Sequence, residues 1–107
     1  MKVAVPFDND NILHKFGMAT AFEIYEVEQG KLKEGSTLKV ADPNSQEKHS
    51  HAGLAEKLKA VGVDTVICDG IGTGALNALQ GAGLKVYRGV SGRPIDAVSA
   101  LMIGLLG

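Results

Sequence analysis

Four residues of buried-strand type, Thr65, Val66, Ile67 and Cys68, run through Asp69 into three glycines at spacing two, Gly70, Gly72 and Gly74, before a helix opens near Ala75. A strand that passes straight into a helix is the first half of a crossover to a parallel neighbour, so this stretch points to an α/β layout. Glycines in such a turn can take positive φ and bring their N–H groups close to a ligand. The first turn of the helix adds unsatisfied donors and the positive end of its dipole, which together suit an anion. The competing reading is a tight structural turn with no ligand.

The remaining segments arrange themselves around it. Residues 2–6, with Val3, Ala4 and Val5 unalternated, read as a first strand covered on both faces, which Pro6 is expected to end. Residues 7–17 include Asp8, Asn9, Asp10 and Asn11, all turn formers, and read as a loop leaving that strand. Aromatic and β-branched residues at 22–27 suggest a second strand, joined through Gln29-Gly30 to a third at 32–40. In the third, Leu32, Leu38 and Val40 share one parity and Lys31, Lys33 and Lys39 the other, the pattern of a guarded edge strand.

A long polar connection at 41–49 precedes a helix capped by Ser50, with Leu54, Leu58 and Val61 as its buried stripe and Gly62 as its stop. The helix after the glycine turn, 75–80, turns Leu76 and Leu79 inward and is expected to end at Gly81. A fifth strand follows at 84–88. Arg93-Pro94-Ile95-Asp96 then opens a last helix, with Ile95, Val98, Leu101 and Met102 as its stripe and Gly104 as its end. Right-handed crossovers turn this order into a mixed five-stranded sheet, 3-2-1-4-5, with strand two antiparallel. Winding reverses between strands one and four, and open α/β sheets bind ligands outside the carboxyl ends of strands at such a point. The expected cavity lies between loops 7–17 and 69–74.

Composition narrows the partners. No repeat or linker divides the 107 residues, which are read as one domain, 1–107. Eleven basic against twelve acidic side chains leave a net charge of −1, so nucleic acid finds no electrostatic footprint. One cysteine cannot form an internal disulfide, the first residues lack a signal peptide's apolar core, and no apolar run has membrane-spanning length. The expectation is a cytoplasmic protein, a monomer or weak homo-oligomer, with no membrane partner.

Several stretches together are similar to one family. These are residues 1–8, His14-Lys15-Phe16-Gly17-Met18-Ala19, Phe22-Glu23-Ile24-Tyr25-Glu26-Val27, and Gly62-Val63-Asp64-Thr65-Val66-Ile67 running into Gly70-Ile71-Gly72-Thr73-Gly74-Ala75. In that order they resemble the dinitrogenase iron-molybdenum cofactor biosynthesis family, which includes NifX and the cofactor-binding domains of NafY and NifB. The resemblance covers nearly the whole chain. It implies a three-layer ribonuclease H-like domain that binds, stores or delivers an iron-sulfur or iron-molybdenum-type cluster or precursor, transiently and without a reaction of its own. Cluster-assembly or acceptor proteins are the implied partners. The family's histidine stands directly before Phe-Gly, whereas here Lys15 holds that place and His14 precedes it. The ligand role implied by the resemblance passes to His14.

The candidate cofactor-binding residues are His14, Phe16, Gly17, Asp69, Gly70, Ile71, Gly72, Thr73 and Gly74. A cluster is anionic and its sulfides accept hydrogen bonds, so main-chain amides can hold it while imidazole or thiolate completes an iron site. The available metal ligands are His14, His49, His51 and Cys68, with Cys68 expected near the cavity if its strand parity allows. Each has a plainer reading: a buried thiol is usually inert, and His49-Ser50-His51 also fits a solvated cap. Asp8, Asp10, Glu23, Glu26 and Asp69 do not make the converging carboxylate set that a nuclease of this fold needs. Gly70-Ile71-Gly72-Thr73-Gly74-Ala75 also fits G-x-G-x-x-A, but Tyr87-Arg88-Gly89 stands where a dinucleotide site needs an acid. A nucleotide module using this turn and a metal-free adaptor pairing through Leu105-Leu106 are the alternatives.

Overall fold

Val3 and Val5 face one side of the first strand and Ala4 the other, and all three are fully buried because helices cover both faces of the sheet. The computed structural model describes residues 1–40 and 51–105, with the backbone alone for Glu34, His51 and Ala52. Along the chain lie β1 (Lys2–Asp8), β2 (Asn11–Ile12), β3 (Ala21–Glu28), β4 (Lys31–Lys39), α1 (His51–Ala60), β5 (Thr65–Ile67), α2 (Thr73–Gly81), β6 (Lys85–Tyr87) and α3 (Pro94–Met102), with a 3₁₀ turn at Phe16–Met18. The expected connection at 41–49, the Ser50 cap and Leu106 lie outside the described residues.

The sheet runs β4-β3-β1-β5-β6, with β2 folded back on the end of β1. β3 is antiparallel to both β1 and β4, while β5 is parallel to β1 and to β6. Leu54, Ala55 and Leu58 of α1 and Ala75 and Leu79 of α2 pack with Ala4, Phe22, Ile24 and Val66 on one face. On the other, Ala97 and Val98 of α3 pack with Val3, Val5, Tyr25, Val27 and Ile67. Burying that much branched apolar surface from water is the main source of cohesion.

Several expectations are corrected. β1 does not stop at Pro6 but continues to Asp8; pairing with β5 is over by Ala4, so Pro6, buried and paired with Phe22 of β3, lies beyond the β5 ladder, where its missing N–H is tolerated. The loop 7–17 contains a short hairpin, Phe7 opposite Ile12, turned through Asn9 at φ 56°. A register shift at Glu26/Val27 inserts one extra residue into β4, so the parity of its lysines and leucines breaks, and Leu32 is 40% exposed. In α1 Ala55 replaces the exposed Val61 in the buried stripe, and in α3 Pro94 and Ala97 join Val98 while Ile95 is largely exposed. Gly81 is the last residue of α2, and the glycine with positive φ beyond it is Gly83, at 87°.

Candidate functional site

The carboxyl ends of β1, β5 and β6 are stitched together by main-chain hydrogen bonds. The amide of Gly70 donates to the carbonyl of His14 at 2.9 Å, and the amide of Phe16 donates to the carbonyl of Gly70 at 2.8 Å, which makes Lys15 and Gly70 an isolated parallel bridge. From the other side, the amide of Gly89 donates to the carbonyl of Asp69 at 2.9 Å and that of Val90 to the carbonyl of Cys68 at 3.0 Å. Ile12 is held to the loop after β6 by a 2.7 Å bond from its amide to the carbonyl of Gly92.

This stitching corrects the expected cavity. The loops after β1 and β5 touch instead of enclosing a space, and Phe16 fills their junction: it is 1% exposed and tilted against Phe22, with ring centroids 5.5 Å apart. The concavity lies on the other side of the β5 loop, an open groove of about 720 Å³ whose lining includes Asp69, Ile71, Tyr87, Arg88 and Leu105. Tyr87 and Arg88 gain a place at the site because β6 ends beside β5, a neighbourhood that becomes visible in sequence only once the two strands are paired.

The glycines serve a different purpose from the one expected. None of Gly70, Gly72 and Gly74 has positive φ. Gly72 is extended, at φ −73° and ψ 158°, and caps α2 with no side-chain bond. Gly70 is needed for proximity: a Cβ there would lie 2.6 Å from the carbonyl oxygen of His14. Its amide is already bonded, while the amides of residues 71–75 donate to no carbonyl among the described residues outside the ladder of α2 itself. They are the ordinary open donors of a helix start.

His14 and Asp69 meet across the bridge, with Nδ1 and Oδ2 2.9 Å apart; the histidine side chain is 88% exposed and the aspartate 29%. Gly17, Thr73 and Gly74 are exposed nearby in sequence, and Ile71 is half-buried. Cys68, expected as a metal ligand, is instead fully buried in the cluster with Phe16, Leu79 and Val66. Burial pushes its thiol up to about 11, with Arg88 pulling the other way and Asp69 adding to the rise, so it is a protonated core side chain at neutral pH. His49 lies outside the described residues, and His51 opens α1 with its side chain undescribed. Among the described residues no three His, Cys, Asp or Glu side chains gather as a metal-holding group. Among the described residues, the donors at this end are therefore one accessible imidazole with a carboxylate behind it and the unpaired amides of a helix start. That suits a preassembled anionic inorganic group held at one iron, and does not suit a bare cation that needs a full protein shell.

Comparison with known proteins agrees in fold and family. A protein of Methanocaldococcus jannaschii described as uncharacterized is 30% identical over 89 residues, covering 82% of this chain and 74% of its own. The crystal structure of PH0822 superposes with a TM-score of 0.87 at 29% identity, covering all of this chain and 93% of that one. An NMR structure of a candidate NifB protein from Thermotoga, placed in the DUF35 family, superposes at 0.69 with 28% identity over 98% of this chain and 90% of that one. The family model for dinitrogenase iron-molybdenum cofactor matches residues 1–104, which include both fused loops and every element described above. The chain belongs to the dinitrogenase iron-molybdenum cofactor family.

Proposed function

We propose that this chain binds an iron-sulfur or iron-molybdenum-type cluster, or a precursor of one, and hands it on during metallocluster biosynthesis without catalysing a reaction. The observation that carries this reading is the exposed imidazole of His14 on a backbone bridge that also begins the run of open amides at 71–75. Cluster sulfides would accept hydrogen bonds from those amides, and imidazole would bind one iron through a nitrogen lone pair. An iron–nitrogen bond from His14 is readily exchanged, in keeping with a carrier. The family and the likeness to a candidate NifB protein support the same direction.

In this reading the chain is one ribonuclease H-like domain, works in the cytoplasm, and meets cluster-assembly or acceptor proteins. Among the described residues no helix is long and apolar enough to cross a membrane. The test is anaerobic incubation with a synthetic thiolate-ligated [4Fe–4S] cluster, then gel filtration with iron and sulfide analysis of the protein peak. Co-elution in the native protein and its loss in His14→Ala is the expected result. Iron retained equally by both proteins would move the site elsewhere, and no co-elution would remove the reading.

A further inference from the structure

We propose that Asp69 is a positioning residue for His14: it holds the imidazole as the Nδ1–H tautomer and thereby presents Nε2, with its lone pair free, as the iron-binding atom. The inference rests on the cluster-binding reading above and specifies how the His14 ligand is aimed.

A neutral imidazole has one nitrogen that donates and one that accepts, and the hydrogen bond made by the first decides which is left for a metal. Here Nδ1 sits 2.9 Å from Oδ2 of Asp69, and a carboxylate accepts hydrogen bonds without donating any. The remaining nitrogen belongs to a side chain that is 88% exposed. An exposed imidazole without such a partner would sample its rotamers and both tautomers, and would present a correctly directed lone pair only part of the time.

The backbones that carry the two side chains are themselves fixed. The carbonyl of Asp69 accepts from Gly89 at 2.9 Å, that of His14 accepts from Gly70 at 2.9 Å, and Asp69 is only 29% exposed. Both backbones are therefore tied to the sheet, one through β6 and the other through the Lys15–Gly70 bridge, and the Nδ1–Oδ2 bond closes the last free torsions between them. A carboxylate behind a metal-binding histidine also raises its basicity as a ligand. In the binding step Nε2 donates its lone pair to one iron and displaces a labile thiolate of the incoming cluster, with no change in oxidation state.

Two readouts test this. Long-range ¹H–¹⁵N correlation spectra of the cluster-free protein at about pH 8, where imidazole is ordinarily neutral, report the tautomer directly. His14 is expected as Nδ1–H in the native protein, with that preference lost in Asp69→Ala and partly kept in Asp69→Asn, whose amide oxygen still accepts. Titration with the synthetic [4Fe–4S] cluster should show Asp69→Ala about 10- to 100-fold weaker and Asp69→Asn intermediate. The double variant His14→Ala with Asp69→Ala should be no weaker than His14→Ala alone. Native His14 in the Nε2–H form, undiminished affinity in Asp69→Ala, or a double variant weaker than either single one would each overturn the assignment. If the native protein takes up no cluster, the cargo reading fails by itself, and the tautomer spectra still decide whether Asp69 sets the orientation of His14.

Discussion

The carbonyl oxygen of His14 occupies the space that a side chain on Gly70 would need, 2.6 Å from the Cβ position, while that same oxygen accepts the Gly70 amide at 2.9 Å. The contact that joins the loops after β1 and β5 is thus available only to glycine. Gly70→Ala must push the strands apart or break the pair of bridge bonds, and is expected to cost about 1–3 kcal/mol. At Gly72 an added Cβ meets nothing within 4 Å and φ is −73°, so Gly72→Ala should cost no more than about 1 kcal/mol, the exchange of a favoured helix cap for a poor one. Urea unfolding of the two variants side by side checks the contrast. Equal effects would mean that the bridge does not constrain residue 70.

Phe16 ties the same junction to the core, since its ring is buried against Phe22 and its amide donates to the carbonyl of Gly70. Phe16→Ala is expected to lose about 3–5 kcal/mol, and Phe16→Leu under about 1.5 kcal/mol. A direct ligand contact would give the reverse ranking of evidence, with cluster uptake lost while the unfolding midpoint stays put. Denaturation curves and iron uptake measured on the same preparations separate the two roles.

Cys68 makes stability fall in alkali. Its thiol is raised by burial to about 11 in the folded chain, whereas in the unfolded chain it ionises near 9. Between those values the unfolded state has released a proton that the native state still holds, so unfolding is favoured as pH rises. The contribution is fully present below about pH 9 and gone above about 11, a loss on the order of 1 kcal/mol per pH unit at its steepest. Tyr25, raised by burial and by neighbouring Glu23, acts in the same direction, so Cys68→Ala should flatten the alkaline slope without abolishing it. Stability curves from pH 7 to about 11 test the sign. Thiol labelling at about pH 8 should likewise proceed only at the rate of opening.

What could be read in the sequence was set by local chemistry. Val3, Ala4 and Val5 reveal a doubly covered strand because no polar residue interrupts them, and Gln29-Gly30 reveals a hairpin because both residues adopt positive φ, 52° and 73°. The features missed depend on partners. Nothing near Gly70 in the chain indicates that His14, 56 residues earlier, comes within bonding distance, so its glycine was explained by φ when proximity is the cause. His14 and Asp69 were each legible as candidates from the loops they occupy, but their contact spans 55 residues and appears only when β1 and β5 pair. For Cys68 the sequence leaves the face open for a related reason: strand parity decides which layer it joins, and that is settled only when the neighbouring residues are assigned to layers.

The end of α2 offers a further test of the same distinction. Gly81 belongs to the helix, has ordinary helical φ and has open space around the position of a Cβ, so glycine there contributes only extra freedom in the unfolded chain. Gly81→Ala should therefore stabilise the protein by about 0.4–1 kcal/mol. Two residues on, Gly83 has φ 87° and its amide closes the helix by donating to the carbonyl of Gln80 at 3.0 Å, with Leu84 then donating to Leu79 at 3.0 Å. Gly83→Ala meets no atom within 4 Å but must adopt the left-handed region, which costs an L-residue about 1–2 kcal/mol. Thermal unfolding of the two single variants should shift in opposite directions. If Gly81→Ala proved the more harmful, the chain would leave the helix two residues earlier than this geometry has it.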